Sequence, residues 1–422
     1  AAPGPVPAPS EVRPPCGSAA AYRLVLLLDD HRALLPEWLR AVARRGLRVP
    51  PERLPDLLEA ATTNHALRDE VEAVLGERGR WLAAQVPRWG WAAPLPGTEE
   101  ERAVIWRTGA RPQRRRLFTT LRHAEPAAAR QWLERGLPRE EGPDRAWFVT
   151  ALGEGLSPAD EPLLENALDD RRQDVRAAAA RLLSRRPGSA FARRMAARTL
   201  PLVRVAGGAR PRLEVTPPDR LDESALRDGI IRVPSSGTGE RVWWLHQFVG
   251  STPLAAWEAA GLTPELAVTL PAPADLEIPL RRGFAMAADI QRDARWATAL
   301  LDTDPRLAEF ADPARAATAA LAHLRAGETG IADRLPAPWP PELSEGALDL
   351  LARLATRVAG GRPGPVAGHW VHRLIAERLD PALAGEAARR LEDVQPGTPY
   401  TGHARELIQT LCLRRDMYEE LK

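Results

Sequence analysis

Lysine is all but missing from this 422-residue chain: Lys422 is the only one, and arginine carries the rest of the cationic charge. That absence excludes whole chemistries. A P-loop needs a lysine for nucleotide phosphates, a pyridoxal-phosphate enzyme needs one for its Schiff base, and a protein kinase needs one at its ATP site. Cysteine is nearly as scarce. Cys16 and Cys412 lie near opposite ends and form no CxxC pair, which excludes a disulfide framework and a cysteine-rich zinc site. Reduced thiols fit a cytoplasmic protein. Long apolar runs are missing too: the stretch 24–28 falls far short of the roughly 20 residues of a membrane span. There is no GxSxG elbow. Charge of one sign is not in excess, because the net charge is +2, which argues against a generally basic nucleic-acid binder. The chain opens on Ala-Pro repetition without Met or a signal-peptide n-region, so residues 1–20 are expected to be a flexible Pro-rich linker, with room for a preceding segment in the gene product.

What is present is mostly helix-forming. Ala, Leu, Arg and Glu dominate a composition that is 44% apolar. Over 21–205 the apolar residues recur at helical spacing: Leu163, Leu164, Ala167 and Leu168 form one stripe, and Val175, Ala178, Ala179, Leu182 and Leu183 the next. Start signals agree. Ser157-Pro158 with Asp160, and Thr98 with Glu101, read as capping boxes. Short helices on brief connections are expected to pack as antiparallel pairs. The segment 206–262 differs, with Gly207-Gly208, several prolines and β-branched runs. The runs 230–233 and 242–249, flanking Ser235-Ser236-Gly237-Thr238-Gly239, read as a β-hairpin, and 213–216 as a further strand. Helical periodicity returns over 263–422, interrupted by the Pro-rich stretch 336–341.

The most specific segment is LLENALDDRRQDVRAAAARLLSRR at 163–186. It resembles the HEAT repeat: an apolar helix, an acidic turn, then Val-Arg opening an Ala/Leu-rich helix. The resemblance makes Asp170 and Arg176 the residues that bond between neighbouring repeats. A weaker copy runs through Glu125-Pro126 and Ala129-Arg130, and a poorer one through Asp312-Pro313-Ala314-Arg315. The offset from Arg130 to Arg176 falls in the ~40–47-residue HEAT or armadillo range. The expected fold is thus mainly all-α: a HEAT-like α-solenoid of antiparallel helix pairs over 21–205, a β-rich insertion at 206–262 and a C-terminal helical domain at 263–422. More widely, the runs Leu35-Pro36-Glu37-Trp38-Leu39, Gly46-Leu47-Arg48-Val49-Pro50, Arg78-Gly79-Arg80-Trp81-Leu82 and Trp89-Gly90-Trp91 resemble an uncharacterised bacterial domain family. Its genes sit beside those of a MoxR-type AAA+ ATPase, a von Willebrand factor A protein and a SWIM zinc-finger protein.

Several residues invite a chemical reading. His369 and His372 stand three apart with Glu377 beyond, but the zincin spacing is four with an intervening Glu, so surface or interhelical histidines are the better expectation. The 235–239 loop lacks the strand–loop–helix context and the lysine of a phosphate loop. The acidic pairs Asp29-Asp30 and Asp169-Asp170 read as helix caps. Arg114, Arg115 and Arg116 form the sharpest basic cluster, expected as a solvated helix face, with phosphate contact as the rival reading. Among 13 tryptophans, Trp89 and Trp91 fall in a Gly/Pro-rich connection, and Trp243-Trp244 are adjacent in an expected strand, which sends them to opposite faces. These four are the candidate partner-binding aromatics, with burial against the helical halves as an equal alternative. The function expected is a non-catalytic scaffold or adaptor with a protein partner and no cofactor; by the family resemblance that partner is the ATPase or the von Willebrand factor A protein. The alternative is a HEAT-like nucleic-acid-binding protein, DNA-glycosylase-like in its residue types at Trp132, Trp147, Asp170 and Arg176.

Overall fold

The computed structural model describes residues 7–94, 97–234, 239–359, 369–391 and 399–422. The chain is mainly α-helical, with one small two-stranded antiparallel sheet among the described residues. Helices begin where the sequence places their caps. The Thr98 hydroxyl accepts the Glu101 N–H at 3.2 Å, and the Asp160 carboxylate accepts the Ser157 N–H at 2.8 Å. No described helix is long and apolar enough to cross a membrane.

The chain forms two compact units that do not follow chain order. One unit holds Ala1–Gln113, Leu321–Thr329 and Pro336–Lys422; the other holds Arg114–Ala320 and Gly330–Leu335. In the first unit, N- and C-terminal segments share a core in which Leu24, Trp38, Val42, Leu58 and Val71 pack with Met417 and Leu421. A buried polar knot ties the two ends together. Arg414 is fully buried and donates twice to the Glu37 carboxylate at 2.8 Å, and the Tyr418 hydroxyl donates to the same carboxylate. The remaining Arg414 donor reaches the carbonyls of Ala376 and Leu379. The start of the chain is held as well. Glu11 accepts the N–H groups of Glu77 and Arg78 at 3.0 Å, capping the helix Gly76–Gln85 from a distance, and Cys16 N–H donates to the Arg48 carbonyl. Residues 11–16 are therefore pinned, where a flexible linker was expected. Gly76 allows this: its φ is +66°, and a Cβ there would stand 2.5 Å from a Glu11 carboxylate oxygen.

In the second unit successive helices pack on one another. Gly142–Ala151 and Glu161–Ala167 both pack on Gln173–Ser184, which meets Ala190–Thr199; that helix meets Glu240–Ser251, which lies along Glu277–Gln291. The helix Glu240–Ser251 overturns the expected strand at 242–249. Its buried apolar side chains, Trp244, Leu245, Phe248 and Val249, follow helical and not alternating spacing. Two glycines let it pack closely: a Cβ on Gly283 would stand 2.9 Å from the Val249 Cβ, and one on Gly250 would stand 2.6 Å from the Met286 sulfur. The sheet instead comes from β1 (Val203–Ala206) and β2 (Arg212–Val215), so among the described residues the strands of the 206–262 segment lie at its beginning, and the 213–216 expectation is the one that meets a strand. Residues 235–238 of the expected hairpin loop lie outside the described residues.

Candidate interaction surface

Arginine's fork of donors can hold a carboxylate with one edge and a carbonyl with another. The second unit uses this repeatedly. The Glu140 carboxylate takes Arg114, while the Glu140 carbonyl takes Arg145 at 2.7 Å. The Asp170 carboxylate takes Arg145 at 2.7 and 3.2 Å, while the Asp170 carbonyl takes Arg176 at 2.8 Å. Arg176 then reaches onward to the Leu226 carbonyl at 3.2 Å. Each rung thus joins an arginine on one helix, an acid before the next, and the arginine that follows. Arg114, Arg145 and Arg176 are evenly spaced, 145 lying midway between 114 and 176. The interval, about 30 residues, is shorter than a HEAT or armadillo repeat. Arg145, not Arg130, is the counterpart of Arg176. Arg130 lies instead 3.7 Å from Glu134 and 3.6 Å from Asp160.

Burial alone would raise the Asp170 carboxyl, but the Arg145 guanidinium and the Arg172 N–H outweigh it and hold the pKa below the ordinary value. Farther on, Asp228 is 1% exposed and takes both Arg194 at 2.8 Å and Arg198 at 2.5 Å. Arg194 also holds Glu165, and its pKa is raised above the ordinary arginine value, chiefly by Asp228. Beneath the ladder, Arg122 and Asp160 form a fully buried pair with bonds of 3.0 and 2.7 Å. Desolvation opposes ionisation of Asp160; Arg122 and the Ser157 N–H and hydroxyl outweigh it and lower its pKa.

The residues singled out from sequence fall as follows. Asp170, which the repeat resemblance paired with Arg176, binds Arg145 through its carboxylate and Arg176 through its carbonyl. Arg114 and Arg115 do not form a solvated face. Arg114 holds Glu140 with its guanidinium 5.8 Å from the Phe148 ring centre; Arg115 holds Asp144 at 2.6 Å and lies 4.8 Å from the Trp147 ring centre. Arg116 is half-buried on the same helix, Arg111–Ala124. Trp89 is only 7% exposed and donates to Glu59 at 3.0 Å, with Arg88 against its ring. Trp91 is half-buried, donates to Thr62 and carries Arg68. Trp243 and Trp244 are not on opposite faces of a strand. They are neighbours on the helix Glu240–Ser251 and donate to the carbonyls of Ile231 and Arg232, at 3.0 and 2.8 Å. Trp244 is buried, and half-buried Trp243 stacks on His246. Of the histidine pair, the side chain of His369 lies outside the described residues, and His372 is buried with its ring 5.0 Å from that of His403. Among the described residues no group of three or more His, Cys, Asp or Glu is placed to hold a metal.

The 422-residue chain matches a family model over residues 1–421. It belongs to the family of unknown function DUF5691. No curated protein and no solved structure matches it. The DUF5691 match covers both units, so the ladder and the end-joining knot are parts of one family domain.

One charged cluster of this DUF5691 chain escaped the sequence reading. Arg185 and Arg292 are the residues that close the helices Gln173–Ser184 and Glu277–Gln291, and Arg181, one turn before Arg185, bonds Asp289 at 2.9 Å. Arg292 has φ +52°, a left-handed conformation usually left to glycine. Among the described residues neither Arg185 nor Arg292 has an ion-pair partner within bonding distance. Burial, then Arg292 and Arg181, hold Arg185 below the ordinary arginine pKa, with Glu154 acting the other way. In the sequence Arg292 lies far from Arg181 and Arg185, and only the packing of the two helices joins them.

The first unit carries an open cleft of about 490 Å³ between the helix Ser18–Asp29 and the helix Leu54–Thr63. Asp29, Asp56, Glu59, Arg32 and Arg53 line it. Arg53 faces Asp56 at 3.4 Å, and Glu59 is already held by Trp89 and Arg88. Arg32 donates to the Leu28 carbonyl at 2.8 Å.

Proposed function

We propose that the chain is a non-catalytic protein-binding scaffold, its second unit a helical-repeat stack with a HEAT-like acid–arginine ladder. The ladder carries this reading. Arg145 closes one rung and opens the next, between the evenly spaced Arg114 and Arg176, which makes successive helices mutually dependent, as in repeat proteins, where each unit is stabilised by its neighbours. Such a stack holds an extended surface in fixed shape, which favours recognition of another macromolecule. Following the family's gene neighbourhood, the partner is the MoxR-type ATPase or the von Willebrand factor A protein. Sedimentation of the purified full chain with each candidate, in apo, ADP and ATP states, tests this. A heterocomplex of defined stoichiometry supports it; free sedimentation in every state counts against it.

Nucleic-acid binding is the second reading, and the Arg181–Arg185–Arg292 cluster favours it: Arg181 is held by Asp289, but the guanidiniums of Arg185 and Arg292, which have no ion-pair partner among the described residues, suit phosphate. It requires salt-dependent affinity for a DNA duplex that falls in R185Q. The internally bonded Arg114 and Arg115 support it less, and their replacement is expected to cost stability more than affinity.

A further inference from the structure

The two-stranded sheet has one covered edge and one open one. The Leu213 N–H donates to the Pro271 carbonyl at 2.9 Å, so Leu213 directs its backbone away from β1. Leu213 faces Val205 in the register, which makes that a non-hydrogen-bonded pair. Alternation then makes Arg204–Glu214 and Ala206–Arg212 the hydrogen-bonded pairs. The Thr216 N–H bond to the Leu202 carbonyl fits the same alternation. Val203 and Val205 therefore turn their N–H and C=O groups outward from β1. Among the described residues nothing bonds to those of Val205.

The two faces of that edge differ. Val203, Val205, Leu213 and Val215 share one face; Val203 and Leu213 are buried there, while Val205 is 40% exposed. Arg204, Ala206, Arg212 and Glu214 share the other. Arg212 bonds Glu214 at 3.1 Å. Arg204 and the turn residue Arg210 are exposed and have no carboxylate partner among the described residues. The hairpin thus carries three arginines against one acid. A strand laid along β1 meets valine on one side and uncompensated guanidinium on the other.

We propose that the β1 edge is a docking site for an extended segment of a protein partner, one that alternates apolar and acidic residues and adds a third strand to the sheet. Backbone hydrogen bonds to Val205 supply register, Val205 packs on the apolar positions, and Arg204 and Arg210 select the acids. The proposal deepens the protein-binding reading and rests on it.

Proline at 205 is the discriminating substitution. The Val205 N–H makes no ladder bond, so V205P removes only the outward donor, and proline is tolerated on sheet edges of this kind. The probe is a fluorescent ten-residue peptide of alternating valine and glutamate, read by anisotropy with the full chain against a valine–lysine control. Expected are binding of the glutamate peptide alone, about tenfold weakening in V205P, and weakening in R204A and R210A that shrinks at high salt. Amide exchange on the unsubstituted chain provides a second readout: the Val205 amide becomes protected when peptide is added. Equal affinity for both peptides, unchanged affinity in V205P, or a Val205 amide that exchanges freely in saturating peptide overturns the proposal. If the full-length partner still co-sediments with V205P at unchanged affinity, the edge is wrong and the scaffold stands; if no partner binds either chain, the scaffold reading fails with it.

Discussion

Replacing Asp160 with alanine is expected to be among the most damaging single changes in the second unit. Arg122 is fully buried, and Asp160 is its only carboxylate within 4 Å among the described residues. Its other donors reach the carbonyls of Leu152, Glu154, Gly155 and Pro126. These satisfy N–H groups but leave a whole charge uncompensated. Breaking a buried pair from one side costs about 3–5 kcal/mol, and the lost bond to the Ser157 N–H adds about 1 kcal/mol. The double variant R122M/D160L, which removes both charges, should recover most of that loss. Urea unfolding followed by circular dichroism, with amide exchange resolving residues 142–184, measures both. A D160A cost below about 1 kcal/mol, or a double variant worse than the single, refutes the reasoning. The pH dependence has a fixed sign. The folded pKa of Asp160 lies below its unfolded value, so its contribution is complete above about pH 4 and is lost as pH falls through the lower folded value. D160N should flatten that acid limb.

Arg145→Ala removes two bonds to the Asp170 carboxylate and one to the Glu140 carbonyl, and should cost about 2–3 kcal/mol, raising exchange in both flanking helices; an effect on one helix alone contradicts the ladder. In the first unit, burial first and then the Glu37 carboxylate push Tyr418 up to about 12. Ultraviolet titration should show a late-ionising tyrosine that is absent in Y418F, and the stability Tyr418 contributes should hold below about pH 10 and vanish as pH rises through 12. Gly76→Ala should cost about 1–2 kcal/mol, because φ is +66° and the new methyl meets Glu11; thermal melts that match the unsubstituted chain contradict the distant cap. Arg292→Gly should leave stability unchanged or raise it by up to about 1 kcal/mol, since it relieves a left-handed arginine and one repulsion on Arg185.

What could be read in advance depended on how local the cause was. Caps at Thr98 and Ser157, the stripe ending at Leu183 and the paired role of Asp170 and Arg176 all arise within a turn or two, and each was legible. The helix Glu240–Ser251 was misread because Val242-Trp243-Trp244 favours a strand by composition. Its buried apolar side chains at 244, 245, 248 and 249 follow helical spacing, and the Gly250 and Gly283 contacts that favour the helix lie far apart in sequence. The Arg414–Glu37 knot spans nearly the whole chain and leaves no local trace. The ladder was half visible: Arg176 was found, but its true counterpart Arg145 sits in Asp144-Arg145-Ala146, which shares no motif with it. The tryptophans misled for a simpler reason. Each indole N–H of Trp89, Trp91, Trp243 and Trp244 has a partner nearby, and a sequence does not show where a hydrogen bond is satisfied.

The scaffold claim is tested most directly by sedimentation of the full chain with the purified MoxR-type ATPase and the von Willebrand factor A protein, at low and moderate salt, with a DNA duplex in a parallel cell. The account predicts a stoichiometric complex with a protein partner that survives moderate salt. No complex with either protein in any nucleotide state, together with DNA binding that collapses with salt and with R185Q, contradicts it.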